Sequence, residues 1–66
     1  MSVMKGAKLR KHRKRLKMPL RELSEKSGVT IAMISRLERG EIPNPSIEAV
    51  RKIERSLAVE KGTFFS

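Results

Sequence analysis

The sequence predicts an all-α fold: a compact bundle of four to five short helices in one domain, residues 1–66. Three observations carry this. Apolar residues recur at three- and four-residue spacing in successive stretches. Gly and Pro fall between those stretches. No segment shows the bounded apolar–polar alternation of a half-buried strand.

Each element follows in order. Ser2 can cap a first helix, from about Val3 to Lys17, on the 3–4 rhythm of Leu9, His12, Arg13 and Leu16. Pro19 disfavours α geometry at Met18 and stops it. A second helix starts at Pro19, since proline is tolerated in a first turn, and runs through Leu20, Leu23 and Ser27. Gly28 ends it. Thr30 caps a third helix, Ile31 to Arg39, which Gly40 stops. Glu41 to Pro45 read as a proline-punctuated loop. Ser46 caps a fourth helix, whose positive end Glu48 suits. Ile47, Val50, Ile53 and Leu57 give that helix an apolar stripe. Ala58 and Val59 lead to a last short turn or helix carrying Phe64 and Phe65.

Composition narrows the function classes. Sixty-six residues carry 16 Lys plus Arg against seven acids, all Glu, for a net charge of +9. A chain this short buries only about 60% of its unfolded surface, so marginal stability is expected. With no Cys, disulfides and thiolate metal sites are excluded. One His and no Asp leave little for any other metal, and no cofactor is expected. No stretch approaches a membrane span or a signal peptide. A soluble cytoplasmic (nucleoid-associated) protein with an anionic partner fits best, with no membrane role. No nucleophile–base pair, phosphate loop or carboxylate dyad is visible, so no enzyme is expected. His12 reads as packing. Glu22 and Glu48 read as i, i+4 partners of Lys26 and Lys52, and Glu25, Glu54 and Glu60 as solvated or similarly paired.

The charge is uneven. Eight of the cations lie between Lys5 and Lys17, with no acid among them. The block reads either as a solvated basic face or as a source of sequence-independent affinity for an anion. On the second reading, neutralising Lys8 or Lys11 weakens binding to all duplexes alike.

The stretch from Leu20 to Gly40 is the most informative. Gly28-Val29-Thr30 is too short to let the helices lie antiparallel, and such a turn sets them at about 90–120°. With Ile34 at the centre of the buried side, Leu37 and Glu38 fall within about 60° of it at 100° per residue. Ala32, Arg36 and Arg39 fall within about 40° of the opposite direction on the same projection. Met33 and Ser35 flank them. That outward side can enter a major groove, where Arg reads guanine and apolar groups touch the thymine methyl. A merely solvated surface helix is the other reading.

These residues carry a resemblance. Leu23-Ser24-Glu25-Lys26-Ser27-Gly28-Val29-Thr30, then Ile34-Ser35-Arg36-Leu37-Glu38-Arg39-Gly40, resemble the phage repressor/Cro (Xre-type) helix-turn-helix family. Gly6, Leu9 and Arg13 resemble its first helix. Asn44-Pro45-Ser46 with Ile47, Val50 and Ile53 resemble its fourth, and Leu57, Val59, Phe64 and Phe65 its fifth. The resemblance covers nearly the whole chain and implies a lambda-repressor-like fold, with the helix-turn-helix formed by helices two and three.

The resemblance also implies roles. Ile31, Ala32 and Arg36 match base-reading positions, and Met33 and Ser35 match positions touching bases or phosphates. Ile31 lies at the margin of the outward side, so a core role stays open. Thr30, Arg39, Arg13, Arg21, Asn44 and Ser46 are the expected phosphate contacts. Arg13 and Glu38 match a salt bridge between helices one and three. Two departures stand out. Pro19 and Leu20 replace the polar pair that often opens helix two, which leaves its phosphate contacts to Arg21. Ser24 replaces the usual Ala, and its hydroxyl needs a partner such as the carbonyl four residues back.

The expectation is therefore a sequence-specific transcriptional regulator bound to double-stranded DNA as a homodimer on a near-palindrome. Phe64 and Phe65 are the expected dimer contacts, one of them closing the domain. With nothing expected beyond Ser66, regulation would come from concentration, competition or a regulatory protein partner. The alternative is a protein-interaction module, antitoxin-like or co-activator-like, that retains the fold. A sequence-tolerant nucleic-acid or membrane binder is a third reading, disfavoured by the lack of an aromatic stacking platform.

Overall fold

The computed structural model describes residues 4–65. It contains α1 (Gly6–Arg15), α2 (Leu20–Ser27), α3 (Ile31–Glu38) and α4 (Ile47–Ser56). The radius of gyration is 10.3 Å, close to the roughly 11 Å that the length implies.

Helix starts follow the capping residues where these exist. Thr30 Oγ1 accepts from the Met33 N–H at 3.2 Å, and Ser46 Oγ accepts from the Ala49 N–H at 3.3 Å. Replacing either with Ala is expected to lower the unfolding free energy by about 1 kcal/mol, measured by urea titration. Pro19 precedes α2 in an extended conformation and makes no side-chain cap.

Several sequence expectations need correction. The first helix is shorter than Val3 to Lys17: Lys5 precedes it without a side-chain cap, and Ser2 lies outside the described residues. Leu16 is 52% exposed, because the helix has ended there and Lys17 turns the chain with φ +54. The last segment, which the sequence reads as a short turn or helix, forms turns. Phe65 pairs with Met4 in an isolated antiparallel bridge, and the Lys5 N–H donates to the Phe64 carbonyl at 2.6 Å. The end of the chain is thereby laced to its beginning.

The core joins all four helices. Leu9, Leu23, Ile34, Leu37, Val50, Ile53 and Phe64 are fully buried, with Met4 and Met18 beside them. Ile47 does not complete the α4 stripe. It is 62% exposed, in a first turn that no other element covers. Glu54 takes the place on that side, four residues after Val50. It is 2% exposed, and its Oε2 accepts the Gly62 N–H at 2.8 Å. The sequence reading of Glu54 as solvated or surface-paired is therefore wrong. The carboxylate is a buried acceptor that closes the last turn.

Gly6 lies against the C-terminal end of α3. A Cβ there would lie 1.9 Å from the Leu37 carbonyl oxygen and 2.9 Å from that of Glu38. Only glycine allows this distance.

Candidate nucleic-acid interface

The connection between α2 and α3 is built by its own residues. Gly28 takes the left-handed conformation (φ +77) and donates its N–H to the Ser24 carbonyl at 2.8 Å. The buried Ser27 hydroxyl accepts from the Val29 N–H at 3.1 Å. Val29 then enters the core and Thr30 starts α3. Ser24 itself is half-buried, and its hydroxyl makes no bond to the carbonyl four residues back. That pattern occurs instead at Ser56, which donates to the Lys52 carbonyl.

Ile34 and Leu37 seat α3 on the core, and the opposite side is open. Ala32, Arg36 and Arg39 are exposed, as are Met33 and Ile31, the latter at 42%; Ser35 is half-buried. The choice left open at Ile31 is settled: it is a surface residue. Arg36 is in no ion pair among the described residues. Arg39 is held differently. Its Nε donates to Glu41 at 2.7 Å on the surface, a pair the sequence did not suggest.

The Arg13–Glu38 pair is present and two-pronged. Arg13 Nε donates to Glu38 Oε2 at 2.6 Å and Nη2 to Oε1 at 3.0 Å. Nη1 donates to the Met18 carbonyl at 2.8 Å, fastening the α1–α2 connection to the same side chain. These bonds to Glu38 raise the Arg13 pKa above its ordinary value, against the opposing effect of burial. The side chains are only 10% and 6% exposed. Arg13 is thus a structural residue. Three of its five N–H donors are engaged inside the protein, and the two that remain, one on each terminal nitrogen, are what it could offer a phosphate.

The other expected phosphate ligands are spread out. Thr30 and Ser46 begin α3 and α4, which open together onto one hollow of about 360 Å³ that Met33 and Lys52 also line. Each hydroxyl accepts from the backbone as a cap and still has a proton to donate. The positive ends of two helices there suit an anion. Lys52 is shared with Glu48 at 3.4 Å, as the i, i+4 spacing predicts, and Lys26 with Glu22 at 3.3 Å. Asn44 is exposed in the loop before α4 and lines a different hollow. Arg21 is exposed on the first turn of α2.

The two phenylalanines separate. Phe64 is fully buried, with the His12 ring edge-on to it at 5.5 Å between centroids. It closes the domain and has no surface left for a partner, so it is not a dimer contact. Phe65 is half-buried and lines an open hollow of about 540 Å³ with Ile47, Pro45 and Arg51.

Among the described residues, no group of three or more His, Asp or Glu could hold a metal ion. Among the same residues no helix is long and apolar enough to cross a membrane.

Comparison with known proteins agrees with this geometry. A helix-turn-helix family model matches residues 9–64. The HTH-type transcriptional regulator SlrR of Bacillus subtilis (strain 168) is 36% identical over 60 residues, covering 91% of this chain. The chain spans 40% of that relative's length. No solved structure matches it significantly. With a family match over most of its length and a two-helix unit of the expected construction, the chain belongs to the phage repressor/Cro-type helix-turn-helix family.

Proposed function

We propose that this chain is a sequence-specific double-stranded DNA-binding domain of a transcriptional regulator. In this reading α3 enters the major groove. The observation that carries it is the open side of α3, where Arg36 has no ion-pair partner among the described residues and stands beside the small Ala32. A guanidinium there can make two bonds to a guanine edge, with Ile31, Ala32 and Met33 supplying apolar contact. Thr30, Ser46, Asn44, Arg21 and Arg39 are the proposed phosphate contacts, and Ser35 lies at the edge of the reading surface. The domain needs no metal, cofactor or catalytic group for this.

One such helix reads few base pairs, so a homodimer on a near-palindromic site accompanies the proposal. Phe65 and the exposed Ile47 share one hollow, which a second copy can cover.

Replacing Arg36 with Ala is expected to cost about 1–3 kcal/mol on the preferred site and to relax preference at one position of each half-site. Binding titrations on single-base variants of that site measure both effects. An unchanged preference removes Arg36 from the reading set.

One observation favours the alternative, a protein-interaction module. Pro19 opens α2 with no side-chain hydrogen bond and offers no donor to a phosphate. Under that alternative, binding would not distinguish among duplex sequences.

A further inference from the structure

We infer that Lys8, Lys11 and Arg15 form a second phosphate-binding surface, facing away from α3 and fitted to a second DNA duplex. The inference rests on the DNA-binding reading of α3 and concerns a different side of the molecule.

The argument starts from what α1 touches. Gly6 and Arg13 both meet the C-terminal end of α3, Gly6 through the Leu37 and Glu38 carbonyls and Arg13 through the Glu38 carboxylate. They lie about 20° apart around α1 at 100° per residue, so they define the side facing α3. On the same projection Lys8, Lys11 and Arg15 fall within about 30° of the opposite direction. All three are exposed, and none is in an ion pair among the described residues.

The same construction on α3 places α1 behind the reading side. Glu38, which reaches α1, lies about 120° from Ala32 and about 160° from Arg36. The two cationic surfaces therefore point to opposite sides of a body measuring 30 × 22 × 19 Å. Arg10 lies about 50° from the α3-facing direction and Lys14 about 90°, both closer to it than Lys8, Lys11 and Arg15 are, so they are assigned to the first duplex.

The chemistry fits a duplex backbone. Lys8 to Arg15 spans about 10 Å along the helix, the axial length of about three phosphates on one strand. No acid occurs on α1 to oppose them. A lipid surface fits less well, because membrane-bound helices insert an apolar face, and the apolar side of α1 is committed to the core through fully buried Leu9. Lys8 and Lys11 thus act on all sequences alike through a second duplex, so the bound protein holds two duplexes together.

The test uses the whole chain, a bead-bound duplex and a labelled second duplex of unrelated sequence. The wild type is expected to retain the labelled duplex on the beads. The variant Lys8→Ser/Lys11→Ser/Arg15→Ser is expected to retain at least about tenfold less, while its affinity for the bead duplex alone falls by less than about threefold. The variant Arg10→Ser/Lys14→Ser is expected to do the reverse. Four results overturn the inference: no retention by a wild type that binds the bead duplex; retention unchanged in the triple variant, meaning that two α3 surfaces of a dimer do the bridging; equal loss of retention and of first-duplex affinity; or displacement of the labelled duplex by phosphatidylserine vesicles more readily than by free duplex of equal phosphate content. Failure to bind the bead duplex at all overturns the reading of α3 itself, and this inference with it.

Discussion

Gly6→Ala is expected to destabilise the domain by about 3 kcal/mol or more, at or beyond the upper end of overpacking effects. The new Cβ would stand 1.9 Å from the Leu37 carbonyl oxygen. That obstacle is backbone, held in place by the fully buried Ile34 and Leu37, so no side chain can swing aside to relieve it. A domain of this length holds only about 3–10 kcal/mol in total. The variant is therefore expected to lose about a third or more of the domain's stability and to unfold at a clearly lower temperature. An ordinary helical glycine behaves oppositely, gaining up to about 1 kcal/mol on change to alanine. Urea or thermal unfolding followed by circular dichroism decides it. A variant as stable as the parent would mean that α1 and α3 are not packed this closely.

Glu38→Ala is expected to cost about 3–5 kcal/mol, the range for breaking a buried ion pair from one side. The loss has a specific origin. Arg13 would keep its bond to the Met18 carbonyl but lose both carboxylate contacts in a site that water scarcely reaches. A carboxylate at a helix C-terminus is also electrostatically unfavourable by itself, so Glu38 depends on its partner. Replacing both residues, Arg13→Met with Glu38→Leu, is expected to recover most of the loss, because no charge is then left stranded. Unfolding of the two single variants and the double gives the coupling directly. Additive losses would show that the pair does not act as a unit. The pH response has a definite sign. A basic group with a raised pKa contributes stability that is present below its unfolded value and lost only as pH rises through the folded one. Through Arg13, the pair therefore adds no pH dependence across the neutral range.

The residues explain how much of this was legible in advance. Pro19, Gly28, Thr30, Gly40 and Ser46 act within a few bonds of themselves, and each marks a boundary within a residue or two of where the structure has it. The division of α3 into a seated and an open side followed from 100° steps alone. Long-range matters were less visible. Leu16 and Ile47 had the right spacing, but burial needs a partner element, and neither has one. Lys17 and Ala58 take left-handed backbone without being glycine, so no local signal marks those turns. Glu54 was recoverable. An acid four residues after Val50 and three before Leu57 lies on the apolar side of α4, where a carboxylate must find a buried donor. The Gly62 N–H that satisfies it belongs to a later turn. Arg13 shows the reverse error. Its partner was foreseen, but the Met18 carbonyl, which takes a third of its five donors, was not.

The charge also divides by place. The acid-free block of α1 is sequence-independent in character, whereas the reading side of α3 holds few charges, Arg36 at their centre. Under the proposed function, specificity rests on one short helix and on its duplication. The measurement that tests this most directly is selection of binding sites from a pool of random duplexes at moderate salt. The expected product is a near-palindromic motif with half-sites about one helical turn apart, enriched by the parent chain and altered in the same position of both halves by Arg36→Ala. Recovery of folded, duplex-bound protein with no enriched motif would contradict the assignment of α3 as a reading helix.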